Sequence, residues 1–151
     1  MKIAIGCDHG GYKLKAALKE ALYGDFEITD FGTDSEESAD YPIFAARVAH
    51  SVVDGDCNFG IAICTTGIGV SIAANKVRGV RAALCCNSEL AKMSRKHNNA
   101  NVLCLGAGYI DAPAAIGIAR VFLSTEFDGV KPGLERHARR VEEISEIETK
   151  R

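Results

Sequence analysis

A cysteine stands where a strand pattern ends and a glycine-containing turn begins. The apolar run from Phe59 to Cys64 is short and bounded like a strand in a sheet core. Residues 65–69 then read Thr-Thr-Gly-Ile-Gly, and from Val70 the sequence has the pattern of a helix. The first N–H groups of a helix have no partner within it and bind anions. A thiol at Cys64 is therefore expected to exist partly as thiolate, a base or nucleophile beside an oxyanion hole.

Two side chains of this stretch have a second interpretation. On spacing alone, Cys64 fits a packed thiol at a strand end as well as it fits a base. Thr66 is a candidate catalytic residue, but a residue at this place more commonly caps the following helix.

A P-loop is excluded because no lysine follows Gly69, and a cysteine phosphatase loop because Val70 stands where arginine is required. Residues 6–11 lack the G-x-G-x-x-G pattern of a dinucleotide site.

Further ionisable side chains follow the first strand pattern. Asp8 and His9 come directly after the apolar run at residues 2–7, and two glycines follow them. Ligands of open parallel sheets bind at the carboxyl ends of the strands, so we expect both side chains near Cys64. The alternative is a loop carboxylate beside a solvated histidine.

The second half of the chain contributes a histidine and two arginines. His97 stands four residues after Met93, which predicts that it ends the apolar face of a helix, whereas the asparagines that follow it favour a polar site. Arg136 and Arg140 are four residues apart, so they share one helix face. Two guanidinium groups suit a phosphate, although a solvated basic face is favoured on the sequence alone.

The elements that must position these residues alternate between strands and helices. Strand patterns cover residues 2–7, 27–31, 59–64, 81–86 and 102–105. Helix patterns follow them, with Ser88 and Asp111 as predicted N-caps. The last helix pattern runs from Leu134 toward Lys150, with an apolar stripe of Leu134, Ala138, Val141, Ile144 and Ser145. The alternation predicts a doubly wound, Rossmann-like α/β fold of three layers, with a five-stranded parallel sheet and a C-terminal helix.

Length and composition exclude several classes of protein. The 151 residues favour one domain, 1–151, and the net charge of −2 gives no case for nucleic acid as a partner. The apolar runs are too short to span a membrane, and no signal-peptide pattern follows Met1. The six cysteines lack C-x-x-C spacing, so we expect reduced thiols in the cytoplasm, with no metal and no cofactor.

Several segments, in order along the chain, match one family. They are Gly6-Cys7-Asp8-His9-Gly10-Gly11, Asp40-Tyr41-Pro42, Ile63-Cys64-Thr65-Thr66-Gly67-Ile68-Gly69, Ser71-Ile72-Ala73-Ala74-Asn75-Lys76, Arg81-Ala82, Ser94-Arg95-Lys96-His97-Asn98, Arg136-His137 and Arg140-Val141. In these segments the chain resembles ribose-5-phosphate isomerase type B, in the family that also holds the galactose-6-phosphate isomerase subunits.

The resemblance implies a metal-free aldose–ketose isomerisation of a sugar phosphate. Cys64 is then the base, His97 helps to open the sugar ring, and Thr66 is a candidate catalytic residue beside Cys64. It also implies a homodimer whose partner supplies the segment of His97 and Asn98, with a dimer of dimers as the alternative assembly. The implied substrate contacts are the backbone of Thr65, Gly67, Ile68 and Gly69 for the enediolate oxygen, Asp8, His9, Tyr41 and Asn98 for the sugar, and Arg136 and Arg140 for the phosphate.

The chain departs from the family pattern at two places that bear on the substrate. Thr65 stands where the family usually has glycine, and Gly108 where it often has arginine. An isomerase of another aldose phosphate, such as allose or galactose 6-phosphate, is therefore the alternative to one acting on ribose 5-phosphate. A non-catalytic sugar-phosphate-binding subunit is a second alternative, and the presence of both Cys64 and His97 argues against it. A thiol redox protein is a third, and the lack of C-x-x-C argues against that.

Overall fold

The computed structural model describes residues 1–150 as a parallel sheet covered by helices. The five strands lie in the order β2-β1-β3-β5-β4, and every neighbouring pair is parallel. The predicted doubly wound α/β fold is confirmed. The elements are β1 Lys2–Cys7, α1 Tyr12–Leu22, β2 Glu27–Asp30, α2 Tyr41–Val53, β3 Phe59–Cys64, α3 Ile68–Ala74, β4 Ala82–Leu84, α4 Ser88–Asn98, β5 Val102–Gly106, α5 Ala112–Ser124 and α6 Arg136–Thr149.

The two faces of the sheet carry side chains of different size. Successive strand residues point to opposite faces, so Ile61 and Ile63 pack with α1, α4 and α5. Ala62 and Cys64 point to the other face and pack with α2 and α3. The small residues on this second face let its helices lie close to the strands.

The close approach of α2 depends on two strand glycines. A Cβ atom on Gly60 would lie 2.6 Å from Val48 Cγ1, and one on Gly6 would lie 2.8 Å from Val48 Cγ2. Only glycine allows Val48 to sit this close to the sheet. This packing holds Tyr41, the first residue of α2, against the start of α3: a Cβ on Gly69 would lie 2.7 Å from the Tyr41 ring.

Some element boundaries differ from the sequence prediction. The helix after β3 begins at Ile68, two residues earlier than predicted, and is only seven residues long. The N-cap of α4 is Asn87 and not Ser88, because Asn87 has the extended backbone of a cap and its side chain accepts the Leu90 N–H at 2.9 Å. Asp111 caps α5 as predicted, accepting the Ala114 N–H.

The prediction that His97 ends a buried apolar face of α4 is wrong. Leu90 is 47% exposed, and His97 is exposed at the end of the helix. The buried face instead includes Arg95, whose guanidinium carbon lies 4.6 Å from the centre of the Phe59 ring. Arg95 Nη1 also donates to the Ala100 carbonyl at 2.6 Å. A charged residue can occupy this position because its stem and guanidinium pack on aromatic rings while its N–H groups are satisfied.

The predicted stripe of α6 is covered only in part within one chain: Leu134, Ala138 and Val141 are half-buried, whereas Ile144 and Ser145 are exposed. Within α6 only His137 is buried, and Ile144 is 40% exposed. The start of α6 packs on α4, and its far end is tied down by Glu148, which accepts the Gly79 N–H at 3.0 Å. None of the helices in residues 1–150 has the length and apolarity that crossing a bilayer requires.

Candidate active site

The loops that follow β1, β2, β3 and β5 meet at the carboxyl edge of the sheet. Backbone hydrogen bonds join them: Thr33 N–H donates to the Cys7 carbonyl at 2.7 Å, and Gly108 N–H donates to the Thr65 carbonyl at 2.9 Å. β1 and β3 are neighbours in the sheet. After β1 the chain continues to β2 on one side, and after β3 it continues to β4 on the other side. Open α/β sheets form their ligand crevice at such a reversal of strand order. Asp8, which follows β1, therefore lies at the same edge of the sheet as Cys64.

Cys64 ends β3 with its sulfur facing a backbone donor. The residue is 4% exposed, and its Sγ accepts the Gly67 N–H at 3.1 Å. Gly67 has a left-handed φ of +76°, which turns its N–H back toward the sulfur. A Cβ at Gly67 would also lie 2.9 Å from the Gly106 backbone nitrogen. The turn therefore requires glycine, and it supplies the kind of hydrogen bond that stabilises a thiolate.

Burial favours the neutral thiol at three of the other four buried cysteines. Burial raises the pKa of Cys7 and of Cys85 to about 11 each. Burial also raises the pKa of Cys104. These three side chains are neutral thiols at physiological pH and act as small apolar residues of the core.

A cleft of about 430 Å³ opens beside the sulfur. Asp8 is buried there, and its Oδ1 accepts the Gly11 N–H at 3.1 Å. His9 lies at the surface next to Asp8, with its Nδ1 3.2 Å from the Ala39 nitrogen. The cleft is lined by Asp8, Tyr41, Cys64, Thr65, Thr66, Ile68, Gly69 and Ile72.

Thr66 does not cap α3, because the N-cap of that helix is Gly67, which forms no side-chain capping hydrogen bond. Thr66 Oγ1 accepts the N–H of Ile68, the first residue of α3, at 3.2 Å. The same side chain lines the cleft beside Cys64. Because α3 has only seven residues, its dipole is weak. Two amides of residues 65–69 already have acceptors, since Gly67 N–H donates to Cys64 Sγ and Ile68 N–H donates to Thr66 Oγ1.

The second group of predicted residues lies at the opposite edge of the sheet. In the register of β3 with β5, Cys64 is level with Gly106, and Gly60 is level with Val102. His97 and Asn98 end α4 shortly before Val102, so they lie at the amino ends of these strands. Four residue steps along a parallel strand amount to about 13 Å. One chain therefore does not bring His97 to Cys64.

His97 is held by a residue to which the sequence analysis assigned no role. Its ring is stacked on that of His137, with centroids 4.4 Å apart and planes 2° from parallel. His137 is buried, and it stands in the sequence between Arg136 and Arg140, which are both exposed on α6. Burial, followed by the charges of His97, Arg136 and Arg140, lowers the pKa of His137, against an opposing effect of Asp128. The sequence offered one sign that His137 has a role, its position between the two arginines that were predicted to bind phosphate.

In residues 1–150, no group of three or more His, Cys, Asp or Glu side chains is arranged to hold a metal ion.

The sequence matches the family described as Ribose/Galactose Isomerase over residues 3–144. The chain belongs to the ribose/galactose isomerase family. Ribose-5-phosphate isomerase B of Escherichia coli (strain K12) is 42% identical over 151 residues, covering 99% of this chain and 98% of that protein. The predicted resemblance is therefore confirmed, and so is the prediction of a sugar-phosphate aldose–ketose isomerase.

Solved structures of the family have the same fold. Ribose-5-phosphate isomerase B of Clostridium thermocellum superposes with a TM-score of 0.94 and 51% identity, covering 99% of each chain. The enzyme of Mycoplasma genitalium with bound ribulose-5-phosphate has a TM-score of 0.90 and 40% identity, covering 99% of this chain and 97% of that one.

Proposed function

We propose that this isomerase interconverts ribose 5-phosphate and ribulose 5-phosphate by proton transfer through an enediolate, without a metal ion. The observation that carries the proposal is the hydrogen bond of 3.1 Å from Gly67 N–H to Cys64 Sγ, in the cleft that Asp8 and Tyr41 also line. The family relationship supports the substrate, since one relative of this fold is known with bound ribulose-5-phosphate.

Cys64 is the base of the proposed reaction. Its thiolate takes the proton from C2 of the open-chain aldose and returns it to C1, while the hydroxyl proton passes from O2 to O1. The oxygen that becomes negative between these steps needs donors already aimed at it. We assign that role to the amides of residues 65–69 that do not already donate to Cys64 and Thr66, and Thr66 holds the turn through its bond to Ile68. Because Cys64 must stay reduced, we place the enzyme in the cytoplasm.

The remaining roles divide between the two edges of the sheet. Asp8, His9 and Tyr41 bind the sugar near Cys64, on the carboxyl edge. His97 and Asn98, with Arg136 and Arg140, form a second half-site on the amino edge that opens the ring and binds sugar and phosphate. Guanidinium groups suit a phosphate because their N–H groups match its oxygens in pairs.

A second copy of the chain is needed to join these half-sites. We propose a homodimer in which each cleft receives the His97 half-site of the partner subunit. Exposed apolar side chains continue from the cleft and would be covered by such a partner. Ile72 and Ile68 line the Cys64 cleft and are 58% and 54% exposed, and Leu84 beside Ile68 is 41% exposed. A contiguous apolar surface of this kind marks a protein interface.

The test is isomerisation of ribose 5-phosphate in D₂O by homogeneous protein with EDTA present. Deuterium should enter the ketose at C1, because the proton that Cys64 holds exchanges with the solvent before it is returned to the sugar. Cys64→Ala should abolish turnover and leave the circular dichroism spectrum unchanged. Cys86→Ala is the matched control, because Cys86 is exposed and lies outside the cleft, and it should keep full activity.

Each failure has its own meaning. Product without deuterium would contradict exchange of the transferred proton with solvent. Activity that disappears with EDTA and returns with a divalent metal would contradict the metal-free mechanism. A Cys64→Ala variant as active as the Cys86→Ala variant would remove Cys64 from the role of base.

A further inference from the structure

Thr65 is the branched side chain at the first position of the turn after β3. It is exposed, and it lines the cleft next to Cys64. Tyr41 lines the same cleft, and its ring lies against Gly69. An extended substrate chain over Cys64 must therefore share the cleft with Thr65 and Tyr41.

The Thr65 side chain rests on two glycines from neighbouring loops. A Cβ atom at Gly10, in the loop after β1, would collide with Thr65 Oγ1 and lie 3.3 Å from Thr65 Cβ. A Cβ atom at Gly108, in the loop after β5, would lie 3.3 Å from Thr65 Cγ2 and 3.1 Å from the Thr65 carbonyl oxygen. Three loops thus meet at this one residue, and glycine on both sides makes room for its side chain.

The position of Thr65 is also held by its backbone. Its carbonyl accepts the Gly108 N–H at 2.9 Å, so the main chain cannot shift away without breaking that bond. A β-branched side chain has few χ1 rotamers, and contacts on both sides leave little freedom to rotate. Thr65 is therefore a rigid part of the cleft wall.

We propose that Thr65, seated on Gly10 and Gly108, limits the length of the sugar that this enzyme isomerises. The inference rests on the proposed function, in which the reacting carbons lie over Cys64 and the phosphate is bound at a fixed distance by two arginines. A six-carbon aldose 6-phosphate has one more hydroxylated carbon between these two points. That extra unit must bulge sideways in the cleft, where Thr65 excludes it.

The experiment compares wild-type protein with Thr65→Gly on ribose 5-phosphate and on allose 6-phosphate. The measured quantity is the ratio of the two kcat/KM values, because a general loss from a looser turn affects both substrates alike. Thr65→Gly should raise the relative kcat/KM for the six-carbon substrate by about 10- to 100-fold, the discrimination that a pocket exerts on one extra carbon unit. Thr65→Ser keeps the hydroxyl and loses the methyl group, and should have a smaller effect.

A second measurement tests the contact between Thr65 and Gly10 without an activity assay. Gly10→Ala should lower the melting temperature in the wild-type background, because its new methyl group meets the Thr65 hydroxyl. In the Thr65→Gly background the same change should lower it much less, since residues in contact are coupled. The Thr65→Gly single variant is the reference for that comparison.

The outcomes separate this inference from the proposed function. Wild-type protein that does not isomerise ribose 5-phosphate overturns the proposed function and this inference with it. Wild-type activity with an unchanged substrate ratio in Thr65→Gly overturns this inference alone. Equal effects of Gly10→Ala in both backgrounds would contradict the contact on which it depends.

Discussion

The imidazole ring of His97 lies flat on that of His137, at the edge of the sheet opposite Cys64. The centroids are 4.4 Å apart and the planes differ by 2°. His137 is buried and His97 is exposed, so His137 forms a platform that fixes the orientation of the outer ring. The proposed ring-opening residue is thus positioned by a neighbour on another helix.

Replacing the platform should slow turnover with little effect on substrate binding. We expect His137→Ala to lower kcat about tenfold, the value of a lost aromatic contact, with KM nearly unchanged. His137→Phe keeps a flat ring and should retain most of the activity. Steady-state kinetics of both variants on ribose 5-phosphate test this. A loss of the same size in both would mean that His137 acts through its nitrogen atoms.

The lowered pKa of His137 predicts that acid destabilises the fold. In the unfolded chain a histidine titrates near pH 6.5, whereas burial, His97 and the arginines of α6 lower the pKa of His137 in the folded state. Below about pH 6.5 the unfolded state therefore binds more protons, and stability falls as the pH decreases toward the folded pKa. Urea unfolding between about pH 5 and 7.5 should show this decline in wild-type protein and a weaker one in His137→Phe. Parallel profiles would contradict it.

The division of the site predicts complementation between two inactive variants. Cys64→Ala and His97→Ala should each be inactive alone. Mixed after unfolding and refolding, they should recover about a quarter of wild-type activity, because half of the dimers are mixed and one of their two sites is intact. The activity of the mixture measures this, with each variant refolded alone as control. No recovery in a mixture shown to contain mixed dimers would place both residues in a site of one chain.

The proposed binding of phosphate by Arg136 and Arg140 can be tested against Arg139, a third arginine on α6. Arg136→Ala or Arg140→Ala should raise KM for the sugar phosphate by about 10- to 100-fold, the loss of a hydrogen bond to a charged group. Arg139 is exposed, and its Nε lies 3.7 Å from Glu143. Arg139→Ala should leave KM within about twofold of wild type. Similar KM values for all three variants would exclude a specific clamp.

Two lysines that bind one carboxylate should differ in their contribution to stability. Lys15 Nζ donates to Asp30 at 2.7 Å with its side chain 3% exposed, whereas Lys19 Nζ donates to Asp30 at 2.6 Å with its side chain 42% exposed. Breaking the buried pair with Lys15→Met should lower the free energy of unfolding by about 3 kcal/mol. Lys19→Met should lower it by less than about 1 kcal/mol. Urea denaturation compares them, and equal losses would show that burial does not decide the effect.

Most of the fold could be predicted from the sequence because strands and helix starts are encoded by short local patterns. Apolar runs such as that ending at Cys64 appear as strands without knowledge of the rest of the structure, and Asp111 marks a helix start through its own backbone and side chain. The errors fell where a local pattern competes with packing. His97 was predicted to end an apolar face of its helix, whereas the structure exposes His97 and buries Arg95 against aromatic rings of other elements.

By itself the sequence determined the order of strands and helices, the parallel α/β class and the cysteine that opens the turn after β3. Tertiary structure alone decided that Cys64 and His97 lie at opposite edges of the sheet, that His97 rests on His137, and that Thr65 rests on Gly10 and Gly108. These relationships join residues far apart along the chain. They depend on how whole elements pack, and the periodicity of a single segment carries no information about that.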